Sequence, residues 1–324
     1  LYPTEVRATA VGLAIGISRV GTIVATYGTP IFMAAFGIGP TMLVAAGLAL
    51  TACGADEPET RPVQLTAPKV TVVEEGDGPA ATVRWNDDGA EQDAALVVTQ
   101  GFVQRADGGE SDAVTPDTRL EMPMSATVTG GGDDRSVTIE LGAPFGSNAE
   151  LNEDIATAEG FLVDYTGDAT GRIREMNMGA PDEATPTARA GVESGLGQWT
   201  SLPIVFPEEA IGPGAVWTVE NHVSGNADVR QTITYTLVSR SGDDLELDVS
   251  VAQTPAVTEL EGGDGVTLRV IDSETETRDG RLTINLGRPL PVDGVIDYVT
   301  SVTYGDGDSD ARVTQETHNA IQFK

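Results

Sequence analysis

The sequence predicts a mainly β protein: an antiparallel curved sheet or two β-rich halves, with two short helices, preceded by two apolar membrane helices. Three observations support this prediction. Residues 1–53 contain only three charged side chains, whereas the rest of the chain is rich in Asp, Glu, Gly and Thr. After residue 69, apolar and polar residues alternate, which is typical of half-buried strands. Short segments rich in Gly and Asp separate the alternating runs, as hairpin turns do.

The first predicted element is a membrane helix within residues 8–36, which are apolar or small except for Arg19. About 20 such residues are enough to cross the hydrocarbon core of a bilayer. Gly12 and Gly16 have the GxxxG spacing that lets membrane helices pack closely. A charged residue inside a span normally faces other helices or a polar pathway. The pattern therefore predicts a helix that packs against partner helices.

A second apolar run covers residues 42–52 and follows a Gly-Pro break at positions 39 and 40. It contains no charged residue, and its length suits the hydrophobic region of a signal peptide better than a full membrane span. The run is therefore either the signal of a secreted protein or the beginning of a second helix.

The stretch "LYPTEVRATAVGLAIGISRVGTIVATYGTPIF" resembles the major facilitator superfamily, in its sugar-porter-like branch, around the loop before the eleventh helix. "GIGPTMLVAAGLAL" is similar to the start of the family's twelfth helix. The resemblance implies a transport function, but one that needs the family's other helices. The matching residues are Tyr2, Pro3, Thr4, Glu5, Arg7, Gly12, Arg19 and Gly21.

A competing resemblance centres on the one cysteine of the chain. Leu50, Thr51, Ala52 and Cys53 resemble a bacterial lipobox, which implies that Cys53 receives diacylglycerol and that the chain is exported. The basic region that normally precedes such a signal is missing here. The alternative is a buried helix cysteine at the end of a transporter segment.

These two interpretations place the rest of the chain on opposite sides of a membrane. The loop with Pro3 and Arg7 is cytoplasmic in the transporter family, so two crossings would return the chain to the cytoplasm. A lipoprotein signal would instead export it to the cell envelope. We expect a membrane-anchored, extracytoplasmic protein with a join between the two sequences near residues 36–42, or a cytoplasmic domain if the transporter topology holds.

Beyond Cys53 the sequence predicts a disordered acidic linker at residues 54–68, a β-rich half at 69–200 with two short helices, and a β-rich half at 201–324. From about residue 42 onward the chain resembles uncharacterised actinobacterial lipoproteins. The resemblance is carried by a strand entry containing Gly212, Pro213, Gly214 and Trp217. It implies no known activity.

Strands are predicted wherever alternate residues are apolar. The clearest runs contain Val137 to Leu141, Ile233 to Leu237, Leu245 to Val251 and Leu282 to Leu286. Hairpin turns are predicted at residues 131–134, 241–244, 278–280 and 305–310.

Capping signals predict where the two short helices begin. Ser147 and Glu150 have the spacing of a capping box. Thr185 and Pro186 suit the cap and the first position of a second helix. Val192, Leu196 and Trp199 would give that second helix one apolar stripe.

Candidate chemical groups are few. His222 and His318 are the only histidines, and we expect both to be structural rather than zinc ligands. Asp306, Asp308 and Asp310 alternate like the first ligands of a Ca²⁺ loop, but the later EF-hand positions do not fit, so they are weak calcium candidates. No metal, cofactor or catalytic residue is assigned, and the chain is predicted not to be an enzyme.

The net charge of −31, from 50 acidic and 19 basic residues, argues against nucleic acid as a partner, because phosphate binding needs Lys and Arg. The predicted function is a cell-envelope lipoprotein whose acidic β domain binds a protein or an apolar or lipid ligand. Membrane lipid would be contacted through Cys53 or through the apolar helices. The alternative is a fragment of a major facilitator superfamily transporter fused to a soluble domain.

Overall fold

The computed structural model describes residues 60–63, 65–106, 113–223, 229–256, 259–261, 267–305 and 312–324. These residues form one antiparallel sheet and a few helical turns. The strands are β1 (Arg61–Pro62), β2 (Lys69–Glu74), β3 (Glu91–Ala106), β4 (Ala113–Thr129), β5 (Arg135–Leu141), β6 (Phe145–Gly146), β7 (Leu162–Gly167), β8 (Ile173–Gly179), β9 (Val216–Val223), β10 (Val229–Ser241), β11 (Asp244–Pro255), β12 (Glu259–Glu261), β13 (Thr267–Asn285), β14 (Asp293–Gly305) and β15 (Arg312–Phe323). The helices are α1 (Asn152–Ile155) and α2 (Pro186–Thr200).

The main path of the sheet runs β1-β8-β7-β5-β4-β3-β15-β14-β13-β11-β10-β9-β2, with β12 paired to β13 and β6 paired to β4. The pairing of β3 with β15 joins the two predicted halves, since Thr99 faces Ala320 in register. The prediction of a mainly β protein is therefore confirmed. Of the two predicted arrangements, one curved sheet or two β-rich halves, the structure shows a single sheet. The predicted linker contributes one short strand, β1.

The apolar side chains form one continuous core. It contains Met176 from one end of the sheet and Val219 from the other. Thirteen strands lie along the main path, and neighbouring strands are spaced about 4.8 Å apart. Strands β5 and β13 are five positions apart along this path, yet Arg135 on β5 bonds to Asp87 and Leu286, just after β13, bonds to the neighbouring Asn86. The sheet therefore curves around its apolar face.

The predicted alternations are confirmed by burial. Val137, Ile139 and Leu141 are all buried, and so are the other predicted runs. In β11 each apolar residue from Leu245 to Val251 is buried, while the intervening Glu, Asp and Ser residues are exposed. Period-2 patterning thus identified the core face of these strands correctly.

Two of the predicted turns occur where expected, between β4 and β5 and between β10 and β11. The turn predicted at residues 278–280 is wrong. Strand β13 continues through this segment with a register shift between Thr277 and Asp279 against β14. Gly280 permits this bulge, because a Cβ there would lie 1.8 Å from the carbonyl oxygen of Val249. The fourth predicted turn, 305–310, lies almost entirely outside the described residues.

The first helical segment begins one residue later than predicted. Asn148, not Ser147, caps it, and its Oδ1 accepts a hydrogen bond from the backbone N–H of Glu150 at 3.1 Å. Ser147 Oγ instead accepts from the backbone N–H of Arg119 on β4, so Ser147 connects the segment to the sheet. α1 and the 3₁₀ turns on either side of it form a short bridge between β6 and β7.

The predicted start of helix α2 is confirmed. Thr185 Oγ1 accepts from the N–H of Ala188 at 3.1 Å, and Pro186 occupies the first turn. Val192 and Leu196 are fully buried against the sheet. Gly195 allows close packing, because a Cβ there would lie 3.0 Å from the Met122 side chain on β4.

The end of α2 is fixed to the middle of the sheet by a buried amide. Gln198 Oε1 accepts from Gln100 Nε2 at 2.9 Å, and Gln198 Nε2 donates to the carbonyl of Ala320 at 3.3 Å. These bonds reach β3 and β15, the two strands that join the halves. The position of α2 is thus set by both parts of the chain.

None of the helices in the described part of the chain is long and apolar enough to cross a membrane. The two membrane helices predicted within residues 1–53 lie outside the described residues.

Candidate functional site

The residues predicted from sequence to carry function lie outside the described residues. This applies to the lipobox Leu50, Thr51, Ala52 and Cys53, to the transporter-like Pro3, Glu5, Arg7 and Arg19, and to the weak calcium candidates Asp306, Asp308 and Asp310. Lipidation, transport and calcium binding at these positions remain predictions. Among the described side chains, no three His, Cys, Asp or Glu residues are grouped to hold a metal ion.

The two histidines lie on different strands, His222 on β9 and His318 on β15. The His318 ring lies between two carboxylates, with Nδ1 2.9 Å from Asp117 Oδ2 and Nε2 3.0 Å from Asp297 Oδ1. Asp117 belongs to β4 and reaches His318 across β3. It can do so because Gly101 on β3 has no side chain: a Cβ there would lie 2.0 Å from Asp117 Oδ1.

The best candidate for a binding site is a cavity of about 70 Å³ beside the end of α2, referred to below as the Trp85 cavity. Its walls combine aromatic rings, one guanidinium group and two proline-containing loops. It is lined by Trp85, Arg135, Tyr165, Gly171, Ile173, Trp199, Thr200, Leu202, Pro203, Ile204, Pro289, Leu290 and Pro291.

Arg135, which lines the Trp85 cavity, forms a buried ion pair with Asp87. Arg135 and Asp87 are only 3% and 2% exposed. Arg135 Nε donates to Asp87 Oδ1 at 2.9 Å, and Nη2 donates to Oδ2 at 2.6 Å. Burial disfavours the charge on Arg135, but its hydrogen bonds and its attraction to Asp87 outweigh burial and raise the pKa of the guanidinium. Arg135 therefore keeps its positive charge in the interior, beside Asp87.

Aromatic rings surround the guanidinium. Its central carbon lies 5.2 Å from the ring centre of Trp85 and 5.9 Å from that of Tyr165, within the range of cation–π contacts. Burial raises the pKa of the Tyr165 hydroxyl, and this effect exceeds the opposing influence of Arg135. Tyr165 consequently remains a neutral hydroxyl at physiological pH.

One wall of the cavity is the segment after α2, residues 201–206, which is held by side chains of β9 and β10. Gln231 Nε2 donates to the carbonyl of Ser201 at 2.6 Å, and the Tyr235 hydroxyl donates to the carbonyl of Pro203 at 3.0 Å. Trp217 Nε1 donates to a third carbonyl, that of Val205, at 3.0 Å. Alternate carbonyls of the segment are thus satisfied, which keeps this wall in one conformation.

A second wall is the turn at residues 289–291, which is held by the buried amide of Gln92. Gln92 Oε1 accepts from the N–H of Leu290 at 3.0 Å, and its Nε2 donates to the carbonyl of Pro291 at 3.4 Å. Leu290 is itself buried. Both walls are therefore fixed by hydrogen bonds from buried or partly buried side chains.

Trp85 differs from the neighbouring buried side chains, whose polar atoms form hydrogen bonds. Its ring is 6% exposed, and Nε1 finds no hydrogen-bond partner among the described residues. Nε1 lies over Gly171, 2.9 Å from where a Cβ on that residue would be, and Gly171 also lines the cavity. Trp217 shows the usual arrangement in the same core, since its indole N–H is bonded.

The sequence contained a signal for this site that the strand analysis did not use. Arg135 lies on the same face of β5 as the buried Val137, Ile139 and Leu141, at two-residue spacing. Asp87 likewise follows the buried Val83 and Trp85 at two-residue spacing. A charged residue on the buried face of a strand needs a partner of opposite charge. Because Arg135 and Asp87 both lie on buried faces, the sequence allowed an ion pair between them to be predicted.

Comparison with known proteins gives one partial match. A stretch of 68 residues is 47% identical to the putative metabolite transport protein YaaU of Escherichia coli (strain K12). The match covers 20% of this chain and 15% of that protein, so the chain spans only a small part of this relative. It supports the transporter resemblance of the N-terminal segment. No family model matches the chain, and no solved structure matches it.

Proposed function

We propose that the described residues form a membrane-tethered, non-enzymatic binding domain that recognises a protein partner at its surface. The observation that carries the proposal is the filled interior of the sheet. Val192 and Leu196 of α2 are fully buried on it, and the cavity beside them measures about 70 Å³. Sites for drug-sized ligands are usually about 300–1,000 Å³. The Trp85 cavity would not enclose an acyl chain. A larger space of about 370 Å³ beside Arg61 and Met178 is open to solvent and lined in part by the charged side chains of Arg189 and Glu193, so among the described residues a protein ligand is favoured over a lipid.

The composition of the cavity agrees with recognition of a protein. Trp, Tyr and Arg are the residue types that contribute most binding energy at protein interfaces. Of those that line this cavity, Trp199 is only partly buried and can meet a partner, while Trp85, Tyr165 and Arg135 are buried. The strongly acidic surface of the chain would attract a partner with a basic patch and speed its association at low salt.

A binding role also fits the protonation states in the cavity. General acid–base catalysis needs a group that can exchange a proton near neutral pH. Arg135 has a raised pKa and pairs with Asp87, and the Tyr165 pKa is raised as well. Arg135 and Tyr165 therefore hold their charge states near neutral pH, so they serve to orient a bound group rather than to transfer its protons.

Photo-crosslinking can test surface recognition. A photoreactive residue at Thr200, on the cavity rim, should give a partner adduct in intact cells, and the yield should fall when salt is raised in isolated membranes. The matched control is the same residue at Val238, which is exposed on β10. Equal adducts from both positions, or none from Thr200, would contradict the proposal. Co-purified lipid in stoichiometric amount would favour a carrier instead.

For the anchor, we propose lipid on Cys53, as the lipobox-like residues Leu50 to Cys53 imply. The mature domain would then lie on the extracytoplasmic face of a membrane. Intact-mass and N-terminal peptide analysis of protein from native membranes tests this directly. A diacylglyceryl-modified Cys53 at the mature terminus is the expected result, and an unmodified Cys53 inside a longer chain would exclude it.

The transporter alternative is favoured by the length of the match to YaaU. A 68-residue match in the N-terminal segment begins at residue 1 at the earliest, so it extends past Cys53 and past residues 36–42. In this second proposal, transporter-like helices tether the domain at the cytoplasmic face. The same peptide analysis would then find residues 1–53 attached to the domain, and the domain should co-purify with further transporter helices.

A further inference from the structure

The concave side of the sheet changes in character beyond Tyr298. Tyr298 of β14 belongs to the buried apolar core, and the next residues on the same face of that strand are Thr300 and Val302. Residues paired across antiparallel strands lie on the same face, so the strand register identifies their neighbours. The row through Thr300 contains Thr275, Thr317 and Phe102, and the row through Val302 contains Ser273, Gln315 and Gln104. We refer to these two rows, with the adjoining Asn319, Gln253 and Gln231, as the neutral face.

All side chains of the neutral face are uncharged, although the chain has a net charge of −31. The charged residues of the same strands lie on the convex side. Glu274 and Glu276 flank Thr275 on β13, and Glu316 precedes Thr317 on β15, so strand alternation places all three glutamates on the opposite face. Charge is thus confined to one side of this part of the sheet.

Hydrogen bonds between side chains hold the neutral face in one arrangement. Thr300 Oγ1 donates to Gln253 Oε1 at 2.8 Å, and Gln253 Nε2 donates to Gln231 Oε1 at 2.8 Å. Gln315 Nε2 donates to Gln104 Oε1 at 2.8 Å. Thr300, Gln231 and Gln104 are buried, whereas Gln253 and Gln315 are partly exposed. Buried partners therefore orient the amides that reach the surface, as the supporting residues of a binding site do.

The centre of the neutral face carries polar groups with unused hydrogen-bonding capacity. Thr317 and Asn319 of β15 are both partly exposed, and neither side chain bonds to another of the described residues. A hydroxyl and an amide can each donate and accept hydrogen bonds. The two side chains can therefore bond to a ligand that lies on this face.

The composition of the neutral face excludes several classes of ligand. Nucleic acid needs Lys and Arg to replace counterions. An acyl chain would cover amides and hydroxyls without satisfying them. Peptides are recognised at free sheet edges, in apolar or aromatic grooves or by Arg clusters, and this face is the middle of a sheet with mixed polar side chains.

An uncharged carbohydrate matches the neutral face in charge and in chemistry. Its hydroxyls both donate and accept, like the Thr, Asn and Gln side chains of the face. The C–H surfaces of its rings can pack on Phe102 and Val302, which are partly exposed among these polar groups. Neither partner would have to bury a charge on binding.

We infer that the neutral face binds an uncharged carbohydrate chain, whose hydroxyls bond to Thr317 and Asn319. This inference goes beyond the proposed recognition of a protein. The neutral face shares no lining residue with the Trp85 cavity, so the domain has two separate sites.

The test uses the full chain in a detergent without a sugar headgroup. Neutral hexasaccharides of glucose (α-1,4 and β-1,4 linked), mannose, xylose and N-acetylglucosamine are titrated separately, and binding is followed by calorimetry. At least one should bind in a saturable manner. Asn319→Asp should then raise its Kd by about tenfold or more, because the carboxylate loses the amide donors and places a charge on the face.

Gln322→Glu is the matched control, since it makes the same change from amide to carboxylate on the same strand. Gln322 lies between the buried Ile321 and Phe323, so its side chain is on the convex side, and its replacement should leave the Kd unchanged. If Asn319→Asp does not fold, Thr317→Val removes a hydroxyl from the same face at similar volume and should also weaken binding. Binding of none of the hexasaccharides, or equal weakening by the convex and concave variants, would overturn the inference.

These outcomes are separable from failure of the proposed function. If a hexasaccharide binds but Thr200 gives no adduct, the carbohydrate site stands and the protein partner does not. If Thr200 gives an adduct but no hexasaccharide binds, the protein partner stands and the carbohydrate site does not.

Discussion

Asp87 and Arg135 are 48 residues apart in sequence, yet their side chains meet in the interior through bonds of 2.6–3.0 Å. Asp87 lies in the loop before β3, and Arg135 is the first residue of β5. Since β5 pairs with β4 and β7, the ion pair connects this loop to the sheet beneath the Trp85 cavity. Removing either charge would leave the other buried and unpaired.

Replacing Asp87 by Asn should lower the free energy of unfolding by about 3–5 kcal/mol, because the Arg135 charge would remain in the interior without its carboxylate. Urea unfolding of single and double variants measures this. The double variant Asp87→Asn with Arg135→Met should lose less than the sum of the two single losses. As a control, Glu259→Gln removes an exposed pair with Arg269 and should cost at most about 1 kcal/mol. Equal losses at both pairs would contradict this account.

Replacing Thr185 by Ala should destabilise the protein by about 1 kcal/mol, since the N–H of Ala188 would lose the hydroxyl that caps α2. The conservative change Thr185→Ser keeps the acceptor and should leave stability nearly unchanged. Thermal unfolding followed by circular dichroism compares the two variants. Equal effects of Ala and Ser would show that the cap contributes nothing.

Stability should fall as the pH rises above about 10, the pKa of tyrosine in an unfolded chain. Burial raises the pKa of Tyr235 and Tyr298 in the folded state, as it does for Tyr165. The unfolded chain then loses protons that the folded chain keeps, so each tyrosine lowers the unfolding free energy by about 1.4 kcal/mol per pH unit until its folded pKa is reached. Denaturant midpoints at pH 8 and pH 11 test the sign.

Tyr298→Phe provides the control for this pH dependence. The variant should show a smaller decline between pH 8 and pH 11 than the natural chain, because one buried hydroxyl no longer ionises on unfolding. An unchanged decline would assign the effect to other groups.

Replacing Gly101 by Ala should separate Asp117 from His318, because the new Cβ would occupy the position of Asp117 Oδ1. Nitrogen NMR of the imidazole should then show a changed Nδ1 signal, while Nε2 keeps its contact with Asp297. Asp117→Ala should reproduce that change, and adding Gly101→Ala to it should have no further effect. His222 lies on another strand and serves as the internal reference.

The sequence by itself determined four strand segments, on β5, β10, β11 and the end of β13, the apolar face of each, and the start of α2. These features follow from the period of two between side chains on one face of a strand and from the hydrogen bond between Thr185 and Ala188, both of which act over a few residues. Where a local rule admitted two solutions, sequence reasoning chose wrongly: "RDG" at 278–280 is a bulge inside β13, and Asn148 rather than Ser147 caps the first helical segment.

Only the tertiary structure decided how the two halves join and where the candidate site lies. The pairing of β3 with β15 depends on contacts between residues more than 200 positions apart, which strand periodicity does not specify. The Trp85 cavity likewise combines a loop before β3, the three strands β5, β7 and β8, the end of α2 with the segment after it, and the turn at 289–291. In the sequence, Arg135 and Asp87 each lie at two-residue spacing from buried apolar residues, so both positions face the interior. Only the curved sheet of the tertiary structure shows that they pair with each other.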